Sequence, residues 1–289
     1  MWKMELNRLL KSKYTFIIFV ILLIGIISFL GFDGDKKQLI DTYNYDFSTD
    51  LNRSKLLEVI SNYTGWMFML KFLDSPEYTL LESIAFILWI GAFLTPTMVE
   101  HKNNGIGNMI LSRETYMEYL KNVVVSQSIY IIIIVAISSV LQLLSACFIA
   151  GWRMPVYLVG DNVFNGGSII FIILFQTVIY SLYLIMINIF SLLFSLIIKN
   201  RYVACIMPIF IFVIVPTIVG ITLGNVFNTV AEDIIYFEST EPLLCVNRII
   251  QNNYDISVIL KEMYMYVVVG IAIYIMGRNI IKKEVRTYV

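Results

Sequence analysis

Few residues of this 289-residue sequence combine the side-chain types and the spacing that chemistry requires. The single histidine, His101, cannot form a multi-histidine metal site, and the three cysteines are scattered with no CxxC spacing. No G-x-x-x-x-G-K-[ST] segment occurs, so the chain has no P-loop for ATP. We therefore predict no catalytic residue, no metal ligand and no cofactor bound by this chain.

Polar residues inside the apolar segments are mostly amides. No Asp, Lys or His lies deep in such a segment, and Glu82 and Glu100 lie near the outer and inner ends of the second one. This scarcity argues against a proton- or sodium-coupled transporter and against an intramembrane enzyme. Hydrogen bonding between helices is favoured over substrate contact for the amides. They are Gln127, Gln142, Gln176 and Asn188.

A polar, glycine-containing loop between the second and third apolar segments is the most specific part of the sequence. Ser112 is suited to cap a helix, and Glu114 is favourable in the first turn of that helix. Three consecutive apolar residues, Met109, Ile110 and Leu111, precede this cap. They form a short surface that a soluble partner could receive.

The fifth apolar segment contains two prolines, Pro208 and Pro216, which predict kinks. Gly220 and Gly224 follow in a G-x-x-x-G spacing that permits close approach of helices. A contact between two copies of the chain and a local packing or helix-end role both remain open for these glycines.

The composition predicts that the segments carrying these residues are surrounded by lipid. Hydrophobic residues make up 58% of the chain and charged residues only 15%, with a mean hydropathy of +0.78. We predict an all-α membrane protein with six transmembrane helices, because only helices satisfy their own backbone groups in lipid. The predicted spans are 14–31, 80–99, 122–150, 168–198, 203–224 and 263–281.

Basic residues predict which end of each span faces the cytoplasm. With both termini inside, the inner segments hold 13 of the 21 basic residues and 5 of the 21 acidic ones. The inner side then carries a net charge of +8 and the outer side −8. The formal net charge of zero gives no indication of nucleic-acid binding.

The segments between the spans are unequal in length. Residues 1–13 are predicted to form an amphipathic helix in the inner headgroup plane, with Trp2, Leu6, Leu9 and Leu10 on one face. Residues 32–79 and 225–262 are long outer loops, and 65–70 is a short apolar stretch expected at the outer interface. The first apolar run is interpreted as a retained span and not as a signal peptide. The whole chain, 1–289, is treated as one transmembrane domain.

Between Glu100 and Lys121, the order of residues resembles that of permeases of the ABC-2 exporter family. Glu100 at the inner end of the second span, a glycine, a leucine–serine turn, an arginine and Lys121 match the family order, although its usual threonine and proline are absent. The matching glycine is Gly105 or Gly107, and the turn and arginine are Leu111, Ser112 and Arg113. The six spans and the interfacial helix also match, so the resemblance covers essentially the whole chain.

The resemblance implies a function as the membrane subunit of an ATP-driven exporter. Residues 100–121 would be a cytoplasmic coupling loop that docks on a separate ABC ATPase, which binds ATP and Mg²⁺. Two ATPases and two permeases would assemble, with a homodimer of permeases favoured, and the first, second and fifth spans would lie near the path. The coupling candidates are Glu100, Gly105, Gly107, Met109, Ile110, Leu111 and Arg113.

Substrate class follows only by analogy. Residue usage rich in Ile, Asn, Lys and Tyr is typical of low-GC Gram-positive bacteria, which places the protein in a bacterial cell membrane. Relatives there export antimicrobial or toxic peptides such as phenol-soluble modulins or lantibiotics, or confer immunity to them. Amphipathic peptides therefore rank before small hydrophobic drugs and lipid-linked glycans. The alternative is a non-transporting scaffold or sensor whose outer loop binds a ligand.

Overall fold

The computed structural model describes residues 2–32, 64–74, 76–97, 99, 116–152, 157–159, 162–164, 166–197, 200–214, 268, 271 and 275. Within this part the chain is helical except for one short hairpin. In chain order the elements are α1 (Trp2–Leu10), α2 (Lys13–Phe32), α3 (Gly65–Asp74), α4 (Pro76–Trp89), α5 (Tyr116–Ala150), β1 (Tyr157–Val159), β2 (Asn162–Phe164), α6 (Gly166–Ile197) and α7 (Arg201–Ile209). Single turns of π-helix continue α4 over Ile90–Leu94 and α7 over Phe210–Ile214.

Helices α1 and α2 form a bent pair, with an angle of 51° between them. Ser12 lies at the bend, and its hydroxyl accepts the Tyr14 N–H at 3.3 Å, which caps α2. Leu9 is fully buried, whereas Leu10 is exposed. The buried face of α1 is therefore narrower than the predicted apolar face, which included both leucines.

Helix α3 packs against the end of α5 within the segment predicted as an outer loop. The Gly65 N–H donates to the Gly151 carbonyl at 3.0 Å, and Phe68, Met69 and Phe72 are buried. A Cβ on Gly65 would collide with the backbone of Cys147. The predicted interfacial stretch 65–70 is thus part of a helix that has tertiary contacts.

The connection from α5 to α6 contains the only strands in the described residues. Strands β1 and β2 are antiparallel, with Tyr157 opposite Phe164. This hairpin is a small departure from the predicted all-helical chain. At the opposite end of α6, the side-chain oxygen of Asn200 accepts the Tyr202 N–H at 2.9 Å and caps α7.

Aromatic side chains fill the centre of the bundle, where α2, α4, α5 and α6 meet. The ring centroids of Trp89 and Tyr130 are 5.4 Å apart, and those of Phe86 and Tyr180 are 5.3 Å apart with an edge-to-face geometry. Such pairs contribute about 0.5–1.5 kcal/mol beyond their buried area. They fix the spacing between α4 and its two neighbours.

Two helices are long and apolar enough to cross a membrane within the described residues, Glu118–Ala150 and Ile170–Ser195. The bent pair α1–α2 is a third candidate, and Glu82–Leu94 is a shorter apolar helix. Phe148 is 85% exposed and Leu174 61% exposed, as expected for side chains that face lipid. The predicted spans beyond residue 214 lie outside the described residues except at 268, 271 and 275, which are helical and exposed.

Candidate functional site

All seven residues predicted to couple the chain to an ATPase lie outside the described part. These are Glu100, Gly105, Gly107, Met109, Ile110, Leu111 and Arg113, and the same holds for Pro216, Gly220 and Gly224. Pro208 is described and buried inside α7. The helix changes to π spacing two residues after this proline, over Phe210–Ile214, as expected where a proline removes a backbone donor.

The segment 100–115 is joined at both ends to packed structure. Val99 before it is 2% exposed. After it, Tyr119 and Leu120 at the start of α5 pack against Leu192 and Leu193 of α6. Val99 before the segment and Tyr119 and Leu120 after it therefore belong to the packed part of the described residues.

A cluster of polar contacts joins three elements near this segment. The Gln127 amide donates to the Leu94 carbonyl at 3.3 Å, and the Asn188 amide donates to Gln127 Oε1 at 3.0 Å. Leu94 ends the π turn, whose widened spacing leaves carbonyl groups for partners on other helices. Thr95 Oγ1 donates to the Ile90 carbonyl at 3.1 Å. Hydrogen bonds thus link the π turn after α4 to the first third of α5, and that part of α5 to α6.

The same π turn is in close contact with α7. A Cβ on Gly91 would collide with the carbonyl oxygen of Cys205 and would lie 3.6 Å from Cγ of Pro208. Glycine is therefore required for the observed approach of α7 to the π turn. This contact places the kinked part of the predicted fifth span beside the end of the second.

A second polar cluster lies towards the hairpin end of the bundle. The Gln142 amide donates to the Glu82 carboxyl group at 3.0 Å, and Glu82 is only 9% exposed. A cavity of about 20 Å³ lies beside this pair. Its walls are Met69, Glu82, Ser139, Gln142, Ile173, Gln176, Thr177 and Tyr180.

The position of Glu82 differs from the sequence-based expectation. The sequence places it near the outer end of an apolar segment, and in the structure side chains of α5 and α6 enclose it. Glu82 is therefore one exception to the expected scarcity of ionisable residues inside the apolar segments. Sequence alone gave no signal for it, because the burial depends on the packing of three helices.

The predicted role of the amides is confirmed for three of them. Gln127, Gln142 and Asn188 form hydrogen bonds between helices. Gln176 differs, because neither its amide nitrogen nor its oxygen has a hydrogen-bond partner among the described residues. No group of three His, Cys, Asp or Glu side chains occurs in the described ranges, so nothing there suits a multi-carboxylate metal centre.

No protein-family model, no curated protein and no solved structure matches this chain. Functional assignment therefore depends on the residues themselves and on the pattern between Glu100 and Lys121.

Proposed function

We propose that the chain is the membrane-spanning permease subunit of an ATP-driven exporter of the ABC-2 type. In this proposal, six spans cross a bacterial cell membrane, and the segment 100–121 docks on a separate cytoplasmic ATPase. The observation that carries it is the order of residues between Glu100 and Lys121. The hydrogen bond from Gln127 to the Leu94 carbonyl supports it, because this bond joins the two helices that the segment connects.

Coupling of this kind requires that a push at one site alters a distant equilibrium. In this proposal the segment lies between Val99 and Leu120, which are almost fully buried, so its displacement would move the helices on either side of it. The contact of Gly91 with Cys205 would pass the displacement on to α7. The energy comes from ATP and Mg²⁺ on the partner, because the sequence has no P-loop.

An amphipathic or hydrophobic peptide is the proposed substrate, moved out of the cell. The lipid-embedded part offers aromatic and aliphatic side chains with few charges, which suits such a cargo better than a small ion. Two permease copies with two ATPases form the proposed assembly. A homodimer of permeases is favoured over a heterodimer in this proposal.

Truncation of the apolar docking residues tests this proposal. Replacing Met109, Ile110 and Leu111 together by Ala should weaken association with the ATPase at least about tenfold, because apolar anchors carry much of an interface's binding energy. The measurement is co-purification of the full-length chain from its native membrane, followed by titration of the recovered ATPase.

The matched control replaces Asn103, Asn104 and Asn108 by Ala in the same segment, which removes no apolar surface. This control should bind normally, and both variants should keep the melting temperature of the membrane bundle. Unchanged binding by the apolar triple variant, or a purified chain with no ATPase partner, would reject the assignment.

A further inference from the structure

The cavity beside Glu82 is lined mainly by oxygen-bearing side chains from three helices. Thr177 Oγ1 lies 3.2 Å from Ser139 Oγ and 2.8 Å from the Ile173 carbonyl, so these hydroxyls are held in place. The Gln142 amide is held by the Glu82 carboxyl group. Carboxyl, amide and hydroxyl oxygens are the ligands that hard cations prefer.

Gln176 is the unusual member of this cavity wall. It is 4% exposed, and neither polar atom of its amide has a hydrogen-bond partner among the described residues. A buried polar group left in this way costs about 1–3 kcal/mol. The arrangement is therefore incomplete without an occupant that interacts with this amide.

Size and charge narrow the class of occupant. A cavity of about 20 Å³ exceeds the roughly 10–15 Å³ that one water-sized particle requires, and it excludes larger organic cations. A single charge neutralises the one carboxylate of Glu82, whereas a divalent ion would leave an uncompensated charge in a medium of low dielectric constant. Ionisable residues enclosed by membrane helices mark ion sites.

We propose that this cavity binds one hard monovalent cation, a proton or Na⁺, between the carboxyl group of Glu82 and the amide of Gln176. The bound cation neutralises the buried acid and joins α4, α5 and α6 near the hairpin end. Tyr180 of α6 is the other titratable side chain on the cavity wall, α3 contributes Met69, and α5 contributes Ser139 and Gln142. The site does not depend on the exporter assignment, because no ATPase takes part in it.

Thermal unfolding of the full chain in lipid nanodiscs tests this site. The melting temperature is measured while Na⁺ replaces N-methylglucamine at constant ionic strength, in mildly alkaline and in mildly acidic buffer. Binding to the folded state at ten times the dissociation constant should raise the melting temperature by about 3–6 °C. If the site binds Na⁺, adding Na⁺ raises the melting temperature in alkaline buffer, and the rise is smaller in acidic buffer because protons compete. If the site binds a proton, the acidic buffer raises the melting temperature without Na⁺.

Glu82→Gln keeps the shape of the side chain and removes its charge, so it should abolish the response to the cation. Glu118→Gln is the matched control, since it makes the same change at an exposed position on α5 and should respond as the unmodified chain does. Gln176→Leu removes the unpartnered amide, so it should stay folded and lose most of the response.

Two outcomes would overturn the proposal. One is a melting temperature that neither Na⁺ nor acid raises in the unmodified chain. The other is an equal response in Glu82→Gln and Glu118→Gln, which would place the effect elsewhere. The melting measurements do not depend on whether the segment 100–113 binds an ATPase. The cation site and the exporter assignment can therefore be rejected independently of each other.

Discussion

Gln127 uses both ends of its amide, with its nitrogen on the Leu94 carbonyl and its oxygen on the Asn188 amide. The Oδ1 atom of Asn188 has no partner within the described residues. Gln127→Leu leaves the whole Asn188 amide unsatisfied, so we expect a loss of about 1–3 kcal/mol in unfolding free energy. Asn188→Leu removes the unpaired Oδ1 acceptor together with the hydrogen bond to Gln127. It should therefore lower the unfolding free energy by less than Gln127→Leu does.

A double-mutant cycle on these two positions isolates the interaction energy of the two side chains from the effects that each substitution has on its surroundings. We expect a coupling energy of about 0.6 kcal/mol, with an upper value of about 1.7 kcal/mol, measured by reversible unfolding in mixed micelles. The double variant should be no less stable than Gln127→Leu. Strictly additive effects would show that the hydrogen bond between these amides is not formed in the membrane.

Gly91 provides a prediction about close backbone approach. Gly91→Ala should destabilise the bundle by about 1–3 kcal/mol, because the added methyl group collides with the Cys205 carbonyl and α7 must move. Gly25→Ala is the control, since a Cβ there meets nothing within 4 Å. The control should be neutral or slightly stabilising in the same melting assay. Equal melting temperatures for the two variants would contradict the observed packing of α7.

At the scale of elements, the bend between α1 and α2 is held by a chain of hydrogen bonds. Thr15 Oγ1 donates to the Leu9 carbonyl at 3.0 Å, and Tyr130 of α5 is in turn hydrogen-bonded to Thr15. Since the Thr15 hydroxyl proton is used on Leu9, Tyr130 is the donor to Thr15. The end of α1 is therefore fixed to the core and is not merely laid on a membrane surface.

Truncation at two positions of α1 tests this docking. Leu9→Ala should lower the unfolding free energy by about 2–5 kcal/mol, because the fully buried side chain leaves a cavity. Met4→Ala is the control, since Met4 is 72% exposed. Hydrogen exchange at residues 2–10 should rise in the first variant and stay unchanged in the second. A helix held only by lipid would respond similarly to both truncations.

Long apolar runs predicted the major helices well, because lipid requires continuous helix wherever a run crosses it. The predicted 168–198 corresponds to α6, Gly166–Ile197. The predicted span 122–150 ends with α5 at Ala150. The predicted start of that helix at Ser112 lies outside the described residues. The π turn Ile90–Leu94 and the docking of α3 involve partners distant in sequence, so local patterns could not predict them. Pro208, in contrast, predicted a kink where the second π turn follows.

The candidate site was predictable only in part. The amides in the apolar runs indicated bonds between helices, because an unpaired amide in lipid is costly. Glu82 could not be assigned to the interior, since its burial requires α5 and α6 to meet over α4. The segment 100–113 had the clearest sequence signal, and its prediction concerns residues outside the described ranges.

At the scale of the whole molecule, the distribution of basic residues predicts the orientation in the membrane. Lys11 and Tyr202 lie at the end of the bundle predicted to face the cytoplasm, and Trp152 lies at the other end. All three side chains are exposed, with Tyr202 at 76% and Trp152 at 58%. Single cysteines there, in a chain without its native cysteines, should therefore react with membrane-impermeant maleimide from opposite sides.

We expect Trp152→Cys to be labelled in intact cells, and Lys11→Cys and Tyr202→Cys only after the membrane is opened. The physical reason is the retention of Lys and Arg on the cytoplasmic side during insertion. Both termini inside would also place residues 100–121 where a soluble ATPase can reach them. The reverse labelling pattern would put that segment outside the cell, and an exporter driven through it by cytoplasmic ATP would then be physically impossible.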